Sequence, residues 1–124
     1  MTPGKSIHAL IDLIARLPIQ VVPENVEDDI QSLRVAYSDD DHFCQALTAI
    51  GHEIIVALRD PQQYGKALGH AYEGWRRSKF QSEKESKREA DLRLIFRATS
   101  GGIEVRAFGH RRLPNTVYFR GRKR

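Results

Sequence analysis

The 124-residue chain has one cysteine, one tryptophan and one methionine, and no apolar run of membrane-spanning length. A single thiol, Cys44, excludes an internal disulfide and suits a reducing compartment. No activating base stands beside it in sequence, so Cys44 reads as a half-buried helix residue rather than a nucleophile. The apolar stretch nearest the start, residues 7–17, is interrupted by Asp12 and Arg16. It falls short of the roughly 20 residues that a spanning helix needs. No small-residue cleavage site follows it, so neither a membrane anchor nor a signal peptide is expected, and the expected location is cytoplasmic. Internal repeats are missing, and so is any carboxylate pair or His/Cys cluster at metal-ligand spacing. His8, His42, His52 and His70 are scattered, and we expect neither a metal nor a cofactor.

What is present is an ordinary globular composition, 40% hydrophobic and 29% charged, with a lopsided distribution of charge. Residues 1–74 hold 5 Lys/Arg and 11 Asp/Glu, whereas residues 75–124 hold 15 Lys/Arg and 5 Asp/Glu. An acidic front and a strongly basic last third point to a localised surface for a polyanion.

Hydrophobic period places the elements. Ile7, Leu10, Ile11, Ile14 and Leu17 recur at helical spacing, closed by Pro18. Residues 19–22 form a brief β-favouring run. Val26, Ile30, Leu33 and Tyr37 predict a second helix, with Asn25 as its cap. Phe43, Leu47, Ile50, Ile54 and Leu58 predict a third helix, stopped before Pro61, and these two helices read as an antiparallel hairpin. Residues 61–74 are glycine-containing loop. The period then falls to 2: strands are expected at 75–80, 92–98, 103–108 and 117–120, with residues 82–89 a charged, exposed hairpin turn and 121–124 a tail. The chain therefore predicts an α+β fold, an antiparallel-rich sheet of 4–5 strands carrying a helical hairpin on one face.

Alternation sorts the strand residues. Leu92, Leu94 and Phe96 oppose Arg93, Ile95 and Arg97. Ile103, Val105 and Ala107 oppose Glu104, Arg106 and Phe108, and Val117 and Phe119 oppose Tyr118 and Arg120. One face is thus expected to pack on the helices and the other to lie open, gathering Arg93, Arg97, Arg106, Tyr118 and Arg120. His110 and Arg111 follow at a strand end, and Arg77 and Lys79 stand on the preceding strand beside Trp75. Guanidinium forks pair with phosphate oxygens and rings stack on unpaired bases, so such a face suits RNA.

The stretch Gly65-Lys66-Ala67-Leu68-Gly69, then Gly74-Trp75-Arg76-Arg77-Ser78-Lys79-Phe80, leads to Asp91-Leu92-Arg93-Leu94-Ile95-Phe96-Arg97. Further on come Gly109-His110-Arg111 and Thr116-Val117-Tyr118, while Val22-Pro23-Glu24 opens an acidic helix start. Over about residues 19–120 this order resembles the RelE/ParE superfamily of toxins, including its RelE-like, YoeB-like and YhaV-like nucleases. The resemblance implies a RelE-like domain over 19–124, with residues 1–18 an additional N-terminal helix in one globular unit. It implies a toxin of a type II toxin-antitoxin system, a ribosome-dependent endoribonuclease acting on mRNA. Its partners would be the ribosome with its message and a cognate antitoxin, the latter in a toxin-antitoxin hetero-oligomer. Alternatives within the same resemblance are a non-enzymatic DNA gyrase inhibitor and an inactive RNA-binding relative.

Cleavage by in-line attack of the 2′-hydroxyl needs a base, an acid for the leaving 5′-oxygen, and positive charge at the phosphorane. The resemblance implies catalytic roles for Arg93, Arg111, Tyr118, Lys79 and His110. Arg93 would stabilise the transition state, Arg111 or His110 would serve the leaving oxygen, and Tyr118 would orient the substrate. Lys79 or Arg77 would assist the attacking hydroxyl. Arg77, Arg97, Arg106, Arg112 and Arg120 complete the expected RNA-binding set.

Overall fold

A computed structural model describes residues 1–84 and 87–124. Residues 85 and 86, within the predicted charged turn, lie outside the described residues. Helix α1 (Pro3–Arg16) starts where the Thr2 hydroxyl accepts from the Lys5 amide and Pro3 presets the first turn. It seats Leu10 and Ile14 in the core against α3 (Asp40–Arg59), so this N-terminal segment shares the core of the rest.

Helix α2 (Pro23–Ala36) begins two residues before the expected Asn25 cap, because Pro23 takes the first helical position, where its missing N–H costs nothing. The Tyr37 amide closes it on the Leu33 carbonyl. In α3 the Asp39 carboxylate caps the His42 amide at 2.9 Å, and Asp40 and Asp41 sit favourably in the first turn. The predicted stripe of Phe43, Leu47, Ile50 and Ile54 is fully buried.

The five strands are β1 (Ile19–Gln20), β2 (Lys66–Ala67), β3 (Arg76–Phe80), β4 (Leu92–Ala98) and β5 (Ile103–His110), in the order β1-β5-β4-β3-β2. All neighbours are antiparallel except β1 and β5. The expected α+β architecture with a largely antiparallel sheet holds, with three departures.

Strand β2 forms inside the stretch read as loop. A two-residue strand carries no periodicity, and its pairing of Lys66 with Arg77 is closed by the 68–75 connection, where the Leu68 amide donates to the Trp75 carbonyl at 2.9 Å. The predicted strand at 117–120 is helix α4 (Val117–Arg122), capped by the Thr116 side chain on the Phe119 amide. Four residues fit both periods; the cap decides, and Val117 and Gly121, four apart, face the sheet. Third, the register shifts between Ile95 and Phe96: Ile95 pairs with Ala107 but Phe96 with Val105, leaving Arg106 as an extra residue in β5. That bulge reverses the second half of the strand, so Phe108 joins the helix-side core and Ala107 lies on the opposite face.

That opposite face is therefore not open throughout. A second apolar cluster of Tyr72, Trp75, Ile95, Ala107 and Val117 covers part of it, beneath α4 and the 3-10 turn His70–Tyr72. No helix among the described residues is long and apolar enough to cross a membrane.

Candidate functional site

Strand pairing places Lys66 opposite Arg77 and Lys79 opposite Arg93, all on the face away from α1, α2 and α3. Residues directly opposite across antiparallel strands share a face with Cβ atoms about 5 Å apart, and like charges there repel. Two such pairs side by side make a strip of four cations. Glycine permits the fold-back that builds it: Gly65 has φ +74°, and a Cβ there would meet the Arg77 carbonyl oxygen at 2.2 Å. Arg76, pointing the other way, ties the loop down by donating to the carbonyls of Gln63, Tyr64 and Gly65.

The strip borders a shallow cleft of about 300 Å³ lined by Tyr64, Gly65, Lys66, Arg77, Ser78 and Lys79. The Ser78 side chain, opposite Leu94, points to the helix side instead, where its hydroxyl is buried without a hydrogen-bond partner. On the strip, Arg77 donates to the Tyr118 hydroxyl at 3.1 Å. Tyr118 reaches this position from α4, held by a hydrogen bond from the Tyr72 hydroxyl to its carbonyl and by edge-on packing of the two rings. Burial raises the Tyr72 hydroxyl above its usual pKa against the opposing charges of Arg106, Arg124 and Arg122, and keeps it a donor.

The other expected residues are distributed as follows. Lys79 and Arg112 are exposed, and neither forms an ion pair among the described residues. Arg93 is on the expected face but only 4% exposed, and its guanidinium donates to the carbonyls of Ala90 and Leu92. Arg111 pairs with Glu89 at 2.7 Å. The Arg111 hydrogen bond and charge hold Glu89 below the ordinary carboxylate range, with Lys79 and Arg112 adding to the effect. Arg97 pairs with Glu104 at 2.7 Å and stacks over Trp75; Arg106 donates to the Gly121 carbonyl and lies over Tyr72 and Trp75.

Two residues leave the expected face. Arg120 is buried at the edge of β5, bound to the Asp29 carboxylate at 3.1 Å and to the Phe108 carbonyl at 3.0 Å. Asp29 also accepts from the Phe108 amide and from Arg124, so acid and guanidinium groups satisfy the backbone of β5 beyond the end of β1. Helical rather than extended geometry after Thr116 turns Arg120 there. His110, paired with Leu92, lies on the helix side of the sheet against the Tyr37 ring. Its Nδ1 accepts from the Arg112 and Leu113 amides, which leaves the proton of a neutral ring on Nε2. Burial pushes its pKa down, opposed by Asp91 and aided by Arg111, Arg93 and Arg112.

Sequence reasoning missed Lys66 and a polar cluster around His110. Lys66 gave no local signal, because the two-residue strand that carries it is paired through the 68–75 connection. In the cluster, Asp91 accepts from the Tyr37 hydroxyl and from the Ser82 amide and hydroxyl, and the Ser82 hydroxyl stands 2.9 Å from His42 Nε2. Burial alone would raise Asp91, but these hydrogen bonds outweigh it and keep the carboxylate ionised. The cluster ties the start of α3 to the stem of the 82–91 connection. Nothing local in the sequence joins positions 37, 42, 82, 91 and 110.

Among the described residues no three His, Cys, Asp or Glu side chains converge in a metal-binding arrangement. No family model, curated protein or solved structure matches the chain.

Proposed function

We propose that the chain is a toxin that binds single-stranded RNA on Lys66, Arg77 and Lys79, with the buried Arg93 beneath them, and cleaves it by attack of the 2′-hydroxyl on the adjacent phosphate. The reading rests on one observation: cations stand directly opposite cations across two strand pairs, an arrangement that repels itself until an anion lies over it. Tyr118, with its hydroxyl on Arg77, offers a ring edge and a positioned phenol where a base or ribose would lie.

In this mechanism the phosphate sits over Lys79 and Arg77, which stabilise the phosphorane as charge builds on its oxygens. Arg93 braces the 90–92 backbone beneath them. Arg111, which stays paired with Glu89 when RNA binds, serves the leaving 5′-oxygen only as charge builds on it in the transition state. Lysine and arginine are poor bases at neutral pH, so orientation and charge carry most of the acceleration. That dependence on orientation favours a message already held by the ribosome. The partners proposed with this reading are ribosome-bound mRNA and an antitoxin that covers the same strip.

The test is incubation of the purified chain with end-labelled RNA, either free in a chelator or carried by translating ribosomes in magnesium buffer. Cleavage leaving 2′,3′-cyclic phosphate and 5′-hydroxyl ends, lost in Lys79→Ala and Arg111→Ala, is the expected result. Intact RNA under both conditions refutes the nuclease reading.

A further inference from the structure

We infer that the free edge of β1 is a self-association surface, on which a second copy of this chain docks antiparallel about Gln20. The inference does not depend on the nuclease reading. β1 is the terminal strand of the sheet, and the chain is extended from Leu17, with φ −104° and ψ 161°, to Val22, with φ −96° and ψ 115°.

The Pro18 carbonyl accepts from the Ile103 amide, so it faces β5. Backbone groups alternate along a strand, and Ile19 and Val21 therefore face outward. Pro18, whose missing N–H would guard an exposed edge, has its nitrogen on the covered side instead. The Ile19 amide is already used by the Leu17 carbonyl at 2.7 Å. The outward edge thus offers one donor, the Val21 N–H, and one acceptor two residues earlier, the Ile19 C=O. That set complements itself: an antiparallel copy centred on Gln20 makes the Val21-to-Ile19 hydrogen bond twice.

The flanks complement each other too. Antiparallel docking brings the end of α1 in one copy towards the start of α2 in the other. Arg16, whose side chain is 75% exposed although it also contacts Asp12, then faces the exposed Glu24. Beneath the edge runs a groove of about 820 Å³ between α1 and α2, lined by Ile7, Ile11, Ile14, Val21, Val26 and Ile30. Ile11, in the groove lining, is 48% exposed, and Val22, which follows the lining residue Val21 in sequence, is 49% exposed; docking removes this surface from water.

The experiment is sedimentation equilibrium of the full chain across a wide concentration range. A reversible dimer is expected. Val21→Pro, which deletes both edge donors, should weaken it by about tenfold or more. Because proline there can also disturb β1, charge reversal gives an independent arm. Arg16→Glu and Glu24→Arg should each weaken the dimer, and the two combined should restore it. Gln20→Cys in a Cys44→Ala background should form an interchain disulfide under mild oxidation, since residues opposite at a two-fold lie about 4.5 Å apart. A monomer up to the solubility limit overturns the inference. So does a dimer that neither the charge swap nor Gln20→Cys affects.

Discussion

Under the proposed RNA-binding reading, side-chain partnerships fix how many phosphates the chain would neutralise, and the salt dependence of binding measures that number. Alternation in the sequence counts eight cations on the RNA side: Arg77, Lys79, Arg93, Arg97, Arg106, Arg111, Arg112 and Arg120. The structure removes several. Arg120 is held by Asp29, Arg93 is buried on backbone carbonyls, Arg106 is bound to Gly121, and Arg97 and Arg111 are paired with Glu104 and Glu89. Lys66, which alternation did not count, is added. Four cations are left for phosphate: Lys66, Arg77, Lys79 and Arg112. Each contact to a single strand contributes about 0.7 to the slope of log K against log salt, so the expected slope is about −3. Quadrupling the salt then weakens binding about 50-fold, against about 2000-fold for eight contacts. Fluorescence anisotropy with a short unstructured RNA reads the slope directly. Lys66→Ala and Lys79→Ala should each make it shallower by about 0.7. A slope near zero, or one of about −5 or steeper, refutes this assignment of free and occupied cations.

Replacing Glu89 by Gln frees Arg111, and in the same assay the slope should steepen by about 0.7; an unchanged slope means that Arg111 never reaches phosphate. Asp29→Ala strips the acid from two buried guanidinium groups and the acceptor from the Phe108 amide. Urea unfolding should show a loss of about 3–5 kcal/mol, and a loss under about 1 would show that the cluster is not stabilising. His110 titrates below its usual 6.5 in the folded chain, so the unfolded chain takes up the proton first. Its contribution to stability is complete above pH 6.5 and is lost as the pH falls through the depressed value. The urea midpoint should decline over that window and stay flat in His110→Asn, whose amide oxygen can still accept from the backbone. Asp91, also depressed, adds a separate loss only below its usual 3.8.

The three long helices were legible because their apolar stripes run for several turns: Phe43, Leu47, Ile50 and Ile54 admit no other period. The strands at 92–98 and 103–110 were legible from Leu92, Leu94, Ile103 and Val105. Of the short elements, β1 was expected within 19–22, but β2 and α4 were not. Two residues at β2 carry no period, and the four at 117–120 fit a strand as well as a helix until the Thr116 cap is seen. For the candidate site, the strand position of Lys79 and Arg77 was readable, because face assignment needs only parity from a paired neighbour. Burial of Arg93 and Arg120 was not readable. It depends on Asp29, 91 residues before Arg120, and on the Ala90 and Leu92 carbonyls that take the Arg93 guanidinium.

Arg106 also sets how far β5 can be edited. Because it is the extra residue between the Val105–Phe96 and Ala107–Ile95 pairs, removing it would bring β5 back into step with β4 while every other side chain kept its present side. Deleting Ala107 or Phe108 would also be absorbed by closing the bulge, with Arg106 drawn into the ladder and His110 and Arg111 left in place. The slack in this strand thus sits at a residue whose guanidinium lies over Trp75 beside that of Arg97.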